Sequence, residues 1–418
     1  MSHQSIVMYS PDTVGLGHVR RNSTIATRVV ELNPDCSVVL LVGSAAGPVF
    51  ALPSGVDSIK LPSVQKLSSG DWCARSLAIS NQVARRMRSG LIRETIATLR
   101  PDVLLVDHLP TGIWGELLPV FEFIRSRRLP TRIVLGLRDI LDDPQRISAR
   151  WSRDGVYDII RRYYDSVFIY GDRAVFDSAA AYGLSEEICS DVRFMGYVTG
   201  DAAVEPTPVE RIAAPRDEKF VVVTAGGGYD AYPMMAASLE ALALVPRSQR
   251  IRSVAIAGPL MPDEYFARLK LIAEPCGVEL VRFSADLKTL LQRADLVVTM
   301  GGYNSMLEIT GLGKATIVIP RSGPSMEQTV RSEMFEQMGF SRHVPIHAAA
   351  PEYLAHAIVA GLAKPPRPLA RLRLDGAGNA AAALVERMGE TAGKRAQGRA
   401  QRSRTVASRR GENVHAHP

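Results

Sequence analysis

Three observations predict an α/β chain of two doubly wound domains in tandem. Short, almost wholly apolar strands such as Val103–Val106 and Val297–Thr299 alternate with helical segments, the pattern of a parallel sheet covered on both faces. The alternation stops at Gly196–Pro215, rich in proline, glycine and alanine and without sustained periodicity, and then restarts. A length of 418 residues exceeds what one hydrophobic core ordinarily serves. The expected organisation is a Rossmann-like domain over 1–195, a connection over 196–215, a second Rossmann-like domain over 216–390 and a tail over 391–418. The two domains are expected to face each other across a cleft at the carboxyl ends of their strands.

In chain order, Ile6–Tyr9 reads as a strand, Val19–Leu32 as a helix and Ser37–Val42 as a strand. Ala78–Leu99 reads as a long amphipathic helix with arginines on its polar face, followed by a buried strand at Val103–Val106. A helical stretch around Gly115–Arg127, strand Arg132–Leu137, helix Tyr157–Tyr164, strand Ser166–Tyr170 and helix Arg173–Tyr182 complete the first domain. In the second, strands Phe220–Thr224, Arg252–Ala257, Glu279–Val281, Val297–Thr299 and Thr316–Ile319 alternate with helices Pro233–Leu244, Glu264–Cys276, Leu287–Arg293 and one opening at Tyr303. A last helical segment, Asn379–Gly389, is assigned to the same domain.

Composition narrows the function class. With 46% hydrophobic and 22% charged residues the chain has the make-up of an ordinary globular protein. Its net charge of +7 suggests a polyanion partner until it is located. From Lys394 onward there are seven basic residues against one acid, Glu412, so the excess charge belongs to the tail and not to the folded body. That tail lacks apolar periodicity and reads as a solvated extension, with contact to anionic lipid or RNA as the alternative. The body offers no aromatic pattern for nucleic acid. Cys36, Cys73, Cys189 and Cys276 are scattered, which argues against a disulfide framework or zinc site and suits a reducing cytoplasm. No run approaches the ~20 apolar residues of a membrane span, and the N-terminal apolar run is too short for a signal peptide. A cytoplasmic protein is expected, with at most peripheral contact at the inner face of the membrane through the tail.

Three glycine-rich turns follow strands. The first runs from Asp12 to Asn22 and contains Gly15, Gly17, His18, Arg20 and Arg21. It is not a GxGxxG dinucleotide turn, because Arg20 stands where the third glycine belongs. His18 lies where loop becomes helix and can act as a general base on a hydroxyl, or simply cap and pack. Arg20 and Arg21 oppose the dipole at a helix start, a placement that favours an anionic ligand, although either can instead face solvent. Asp107, at the end of a strand and followed by His108, can orient an imidazole or cap a helix. Arg138 and Asp139 sit at another strand end. The run from Asp139 to Asp143 contains no DxD motif for a metal-bridged diphosphate.

The second turn is Gly226-Gly227-Gly228 and the third Gly301-Gly302. Glycines let a ligand approach the backbone, and the helix that opens at Tyr303-Asn304-Ser305 presents free N–H groups to phosphate. Glu308, six residues beyond Gly302, can accept hydrogen bonds from ribose hydroxyls, and Glu327-Gln328 are placed for sugar hydroxyls. Taken singly, each of these turns also suits an ordinary tight β–α connection.

Together the motifs resemble the GT-B glycosyltransferases, and most closely the family 28 branch that contains the bacterial UDP-GlcNAc:lipid-linked muramyl-peptide transferase. The shared features are the His-ended first loop, Gly15-Leu16-Gly17-His18, the glycine turn followed by a glutamate, Gly302 to Glu308, and the loop from Pro320 to Glu327-Gln328. The resemblance implies a GT-B fold, an NDP-sugar donor in the C-terminal domain and a small-molecule, lipid-linked or glycan acceptor in the N-terminal domain. It implies an inverting, metal-independent transfer with no cofactor beyond the donor itself. By carry-over, Gly226, Gly227, Gly228, Gly301, Gly302, Asn304 and Ser305 surround the diphosphate, Glu308 the ribose, and Glu327 and Gln328 the sugar. By the same carry-over, His18 is the base or contacts the acceptor. From their own positions at strand ends and in the first turn, Asp107 is expected to serve catalysis with it, and Gly15, Gly17, Arg20, Arg21, Arg138 and Asp139 to line the acceptor side. Three departures stand out: a first loop poorer in glycine, Glu327 where glutamine is usual, and the additional Arg20-Arg21 pair. A nucleotide-sugar 2-epimerase of the same fold and a non-catalytic nucleotide-sugar sensor or scaffold are the alternatives.

Overall fold

A computed structural model describes residues 4–11, 17–44, 52–68, 71–199, 218–284, 286–323, 325–364 and 367–391. Gly15, most of the expected connection and nearly all of the expected tail lie outside the described residues.

The first domain runs β1 (Gln4–Ser10), α1 (Gly17–Leu32), β2 (Cys36–Val42), β3 (Val56–Lys60), β4 (Val64–Ser68), β5 (Asp71–Ala74), α2 (Asn81–Leu99), β6 (Val103–Asp107), α3 (Leu118–Ser126), β7 (Arg132–Arg138), α4 (Pro144–Arg153), α5 (Val156–Tyr163), β8 (Ser166–Tyr170), α6 (Ser178–Ala181) and β9 (Val192–Phe194). Its parallel seven-stranded sheet has the order β3-β2-β1-β6-β7-β8-β9, and β4 and β5 form a separate antiparallel pair. The central strands are apolar because both their faces are covered: Ile6 and Met8 of β1 enter one core, Val7 and Tyr9 the other.

The second domain runs β10 (Lys219–Thr224), α7 (Tyr232–Leu244), β11 (Ile251–Ile256), α8 (Asp263–Ala273), β12 (Glu279–Val281), α9 (Leu287–Arg293), β13 (Leu296–Thr299), α10 (Tyr303–Gly311), β14 (Ala315–Val318), α11 (Glu327–Gln337), β15 (Arg342–His343) and α12 (Pro351–Ala363). Its six strands are parallel in the order β12-β11-β10-β13-β14-β15. Strand order reverses between β1 and β6 in one sheet and between β10 and β13 in the other. Their carboxyl ends are the crevices where open α/β sheets bind ligands.

A final helix, α13 (376–391), returns to the first domain although the sequence grouped it with the second. Ala380, Leu384 and Met388 join the core beneath β1 and β2, Arg387 pairs with Asp191 beside β9, and the Thr391 hydroxyl donates to the Asp102 carbonyl. The same core takes in Tyr303 and Met306 of α10 and Phe335 of α11, so apolar packing is continuous between the two sheets.

Local departures from the sequence reading have polar causes. The helix expected over Arg173–Tyr182 shrinks to α6, because Asp172 and Asp177 take the amides of Ala174 and Ala180 into turns at 3.0 and 3.1 Å. α2 begins at Asn81, capped by the Ser80 hydroxyl at 3.3 Å from the Val83 amide. Not all its arginines line a polar face: Arg88 is fully buried and clamps Glu116 at 2.6 and 2.7 Å.

Candidate functional site

On the first domain, α1 and β6 bring the expected base and its partner together. The Asn22 amide donates to the Ser10 hydroxyl at 2.7 Å, tying α1 to the end of β1. This sets His18 beside Asp107, whose position as the last residue of β6 buries its carboxylate completely. His18 Nδ1 lies 3.0 Å from Asp107 Oδ2, while Arg21 Nη2 donates to both carboxylate oxygens at 2.8 Å. Arg21 Nη2 also lies 3.0 Å from His18 Nδ1, so the ring nitrogen sits at the junction of carboxylate and guanidinium; in the tautomer that donates Nδ1–H to Asp107, the ring's lone pair is on Nε2. Burial alone would raise the Asp107 pKa; Arg21 and His18 outweigh it and hold the carboxyl below its ordinary range.

His108 follows in a left-handed conformation, φ 67°, its amide donating to the Gly136 carbonyl at 2.7 Å. Its ring centroid is 5.0 Å from that of His18, and its buried Nδ1 has no hydrogen-bond partner. Burial and the surrounding Arg138, His18, Arg21 and Arg150 push its pKa well below that of an ordinary histidine.

Across the cleft, the two glycine turns of the second domain sit together. Gly226 is placed so that an added Cβ would lie 3.7 Å from the Ser305 hydroxyl, at the start of α10. Gly228, at φ 88°, could carry no side chain, since a Cβ would come within 2.1 Å of the Ala257 carbonyl oxygen. Gly301, at φ 84°, packs on Val318, whereas a Cβ on Gly302 would point into open space. α10 has no side-chain cap and no acid in its first turn, so its amide end remains electropositive toward the cleft. The domains approach closely here: a Cβ on Gly17 would lie 3.4 Å from Asn304 Nδ2.

The charged residues assigned to the two substrates are joined to one another. Arg20 pairs with Glu308 across the cleft, and Arg138 Nη1 donates to Glu327 Oε1 at 2.9 Å. Asp139 holds Arg331 of α11 through contacts of 2.8 and 3.2 Å, and Asp142 Oδ1 accepts from the Met326 amide at 2.7 Å. Arg20 and Arg21, expected to await a ligand anion, thus meet carboxylates of the chain itself. Arg138 and Asp139, grouped with the acceptor side, contact α11, while Gln328 Oε1 accepts from the Arg321 amide at 3.2 Å. Burial raises the Glu327 pKa, but Arg138 and Arg331 more than offset it and keep the residue ionised.

Two participants escaped the sequence reading. Tyr303 is buried between the domains, its hydroxyl donating to the Tyr170 carbonyl at 3.0 Å and accepting from the Val198 amide at 3.2 Å. Its ring lies between the guanidiniums of Arg21 and Arg331, at 5.7 and 5.5 Å. Arg331 was detectable as the i+4 neighbour of Glu327, to which it donates at 3.0 Å.

Known proteins similar to this chain are mostly glycosyltransferases, although a putative UDP-N-acetylglucosamine 2-epimerase from Listeria monocytogenes shares the fold, with a TM-score of 0.60 at 14% identity over 93% of this chain and 96% of its own. Residues 257–388 match the glycosyltransferase family 28 C-terminal domain. An uncharacterized glycosyltransferase of Methanosarcina mazei is 23% identical, over 72% of this chain and 75% of its own. The UDP-N-acetylglucosamine–N-acetylmuramyl-(pentapeptide) pyrophosphoryl-undecaprenol N-acetylglucosamine transferase of Methylibium petroleiphilum is 26% identical, over 74% of this chain and 89% of its own. Among solved structures, the glycotransferase of kitacinnamycin superposes with a TM-score of 0.62 at 16% identity, covering 93% of this chain and all of its own. The two facing Rossmann-like domains, the His-ended loop and the C-terminal domain match make this chain a GT-B-fold glycosyltransferase that resembles family 28.

Proposed function

We propose that the second domain binds a UDP-sugar or related NDP-sugar and that His18 activates a hydroxyl acceptor held by the first, in a single inverting displacement. The acceptor oxygen forms the new bond to the anomeric carbon while the bond to the donor phosphate breaks. The nucleoside diphosphate leaves with the bonding pair, and the acceptor proton passes to His18 Nε2. Asp107, already ionised, stabilises the imidazolium that results. The uncapped start of α10, with Gly302, Asn304 and Ser305, receives the diphosphate, which needs no metal in this reading. Glu308 is assigned to the ribose, and Glu327 with Gln328 to the sugar. The observation that carries the proposal is the His18–Asp107 pair set opposite that helix start, with Gly17 and Asn304 nearly touching.

The names of the relatives support a UDP-sugar donor and a lipid-linked acceptor. Among the described residues no helix is long and apolar enough to cross a membrane. By likeness to the relative whose name includes a lipid-linked acceptor, we place the reaction at the cytoplasmic face, with peripheral contact to the lipid.

The first test is a thermal-shift screen over UDP-, GDP- and dTDP-sugars, followed by donor consumption with and without candidate acceptors. His18→Ala should retain the thermal shift and lose about 10²–10⁴-fold in turnover. Epimerised sugar in the absence of any acceptor would point to the epimerase instead. Binding with no turnover, unchanged in His18→Ala, would point to a sensor.

A further inference from the structure

Of the ion pairs that cross the cleft, one is built to exchange. Asp139–Arg331 is completely enclosed, with side-chain exposures of 1% and 0%, and Glu327 of the Arg138 pair is 9% exposed and held by Arg331 as well, whereas Arg20 and Glu308 are 29% and 22% exposed. A partly exposed pair contributes little net stability and can be broken by a competing ligand; an enclosed one cannot be opened without stranding a charge. Glu308 is also the carboxylate that the proposed function gives to the ribose. That carboxylate is also held by an arginine from the opposite domain.

We propose that Arg20 is the donor-sensing cation of the acceptor domain, releasing Glu308 to the ribose and moving onto the diphosphate of the bound nucleotide. This rests on the donor site described above. Glu308 lies five residues beyond Tyr303, about 7.5 Å along α10 from its amide end at 1.5 Å per residue. A nucleotide with its phosphates at that end and its ribose at Glu308 therefore lies along the path that Arg20 already bridges. When a ribose hydroxyl takes over the Glu308 carboxylate, the guanidinium loses its partner just as the diphosphate brings new negative charge within one to two helical turns.

Of the second domain's own nearby cations, Arg331 is enclosed by Asp139 and Glu327. Arg321 Nη1, 2.9 Å from Asp230 Oδ2 in a pair as exposed as that of Arg20, belongs to the donor domain itself and so does not couple the donor to the first domain. A guanidinium is suited to the task because its fork can engage two phosphate oxygens at once. Negative charge grows on the diphosphate as the glycosyl bond breaks, and Arg20 reaches it only when the domains are as close as Gly17 and Asn304 are here. Donor recognition, domain closure and departure of the nucleotide are thereby linked through one side chain. The same placement accounts for a basic residue at a helix start, where the dipole alone disfavours it.

The proposal separates nucleoside from nucleoside diphosphate. Titration calorimetry on the full chain would compare uridine with UDP, guanosine with GDP and thymidine with dTDP, for wild type, Arg20→Gln and Arg20→Lys. For the pair that wild type binds, Arg20→Gln should bind the diphosphate at least about tenfold more weakly and the nucleoside severalfold more tightly, because Glu308 is released. Arg20→Lys, which keeps the charge but loses the fork, should bind the diphosphate with an affinity between those of wild type and Arg20→Gln. If nucleoside and diphosphate affinities fall together, or neither changes, Arg20 has a structural role and the proposal is wrong while the donor site stands. If wild type binds none of the three diphosphates, the donor site itself is wrong and Arg20 falls with it.

Discussion

His108 shows how far a single residue's chemistry can depart from its type. It adopts a left-handed backbone that costs a β-carbon residue of order 1 kcal/mol, and it keeps an unpartnered Nδ1 beside the candidate base. Its pKa is depressed by burial and by Arg138, His18, Arg21 and Arg150. On acidification the unfolded chain takes up this proton near its ordinary pKa, before the folded protein does. Stability contributed by His108 is therefore present above about pH 6.5 and is lost as pH falls through the folded value. His108→Asn, which tolerates the same backbone, should make the melting temperature less sensitive to acidification from pH 7.5 to 5. Equal pH sensitivity in variant and wild type would show that His108 titrates normally.

The places of His18 and Asp107 at the carboxyl edge of the first sheet were legible in sequence, since one lies where a loop opens a helix and the other ends a strand. The partners of Arg20, Arg21 and Arg138 were not. Each lies from 86 to 288 positions away along the chain, and no local pattern encodes such a distance.

At the scale of elements, the glycine turns separate fold from function. Gly301→Ala would put a Cβ 2.7 Å from Val318 Cγ1 in a left-handed backbone, and should cost about 2 kcal/mol or more. Gly302→Ala meets open space at an ordinary φ of −61°, so its effect on stability should stay within about 1 kcal/mol. Its methyl group would occupy the space given to the diphosphate, and nucleotide affinity should fall on the order of tenfold, or about 1.4 kcal/mol. Chemical denaturation of both variants, with nucleotide titration, checks this. Unchanged affinity in Gly302→Ala would move the phosphate away from the start of α10. Sequence marked these turns because positive φ at a strand end narrows the choice almost to glycine. It missed β3, the β4–β5 hairpin and α4, which are short or carry mixed polarity.

For the whole molecule, the enclosed Arg331 network is the firmest polar link between domains. Arg331→Met would leave Asp139 without its guanidinium and Glu327 with only Arg138, and should cost about 3–5 kcal/mol. The loss should appear in denaturant melts as an earlier or separated transition. A loss under 1 kcal/mol would mean that water readily enters the interface.

By itself the sequence determined two parallel α/β layers and their glycine turns. These follow from local rules: apolar runs that must be buried on both faces, and backbone geometry that only glycine accepts. Only tertiary structure decided that α13 belongs to the first sheet, that Tyr303 lies between two guanidiniums, and that the carboxylates assigned to the donor are held by arginines of the opposite domain. Charge pairing across a cleft depends on where distant segments meet. That is set by the packing of whole domains and not by any stretch of chain.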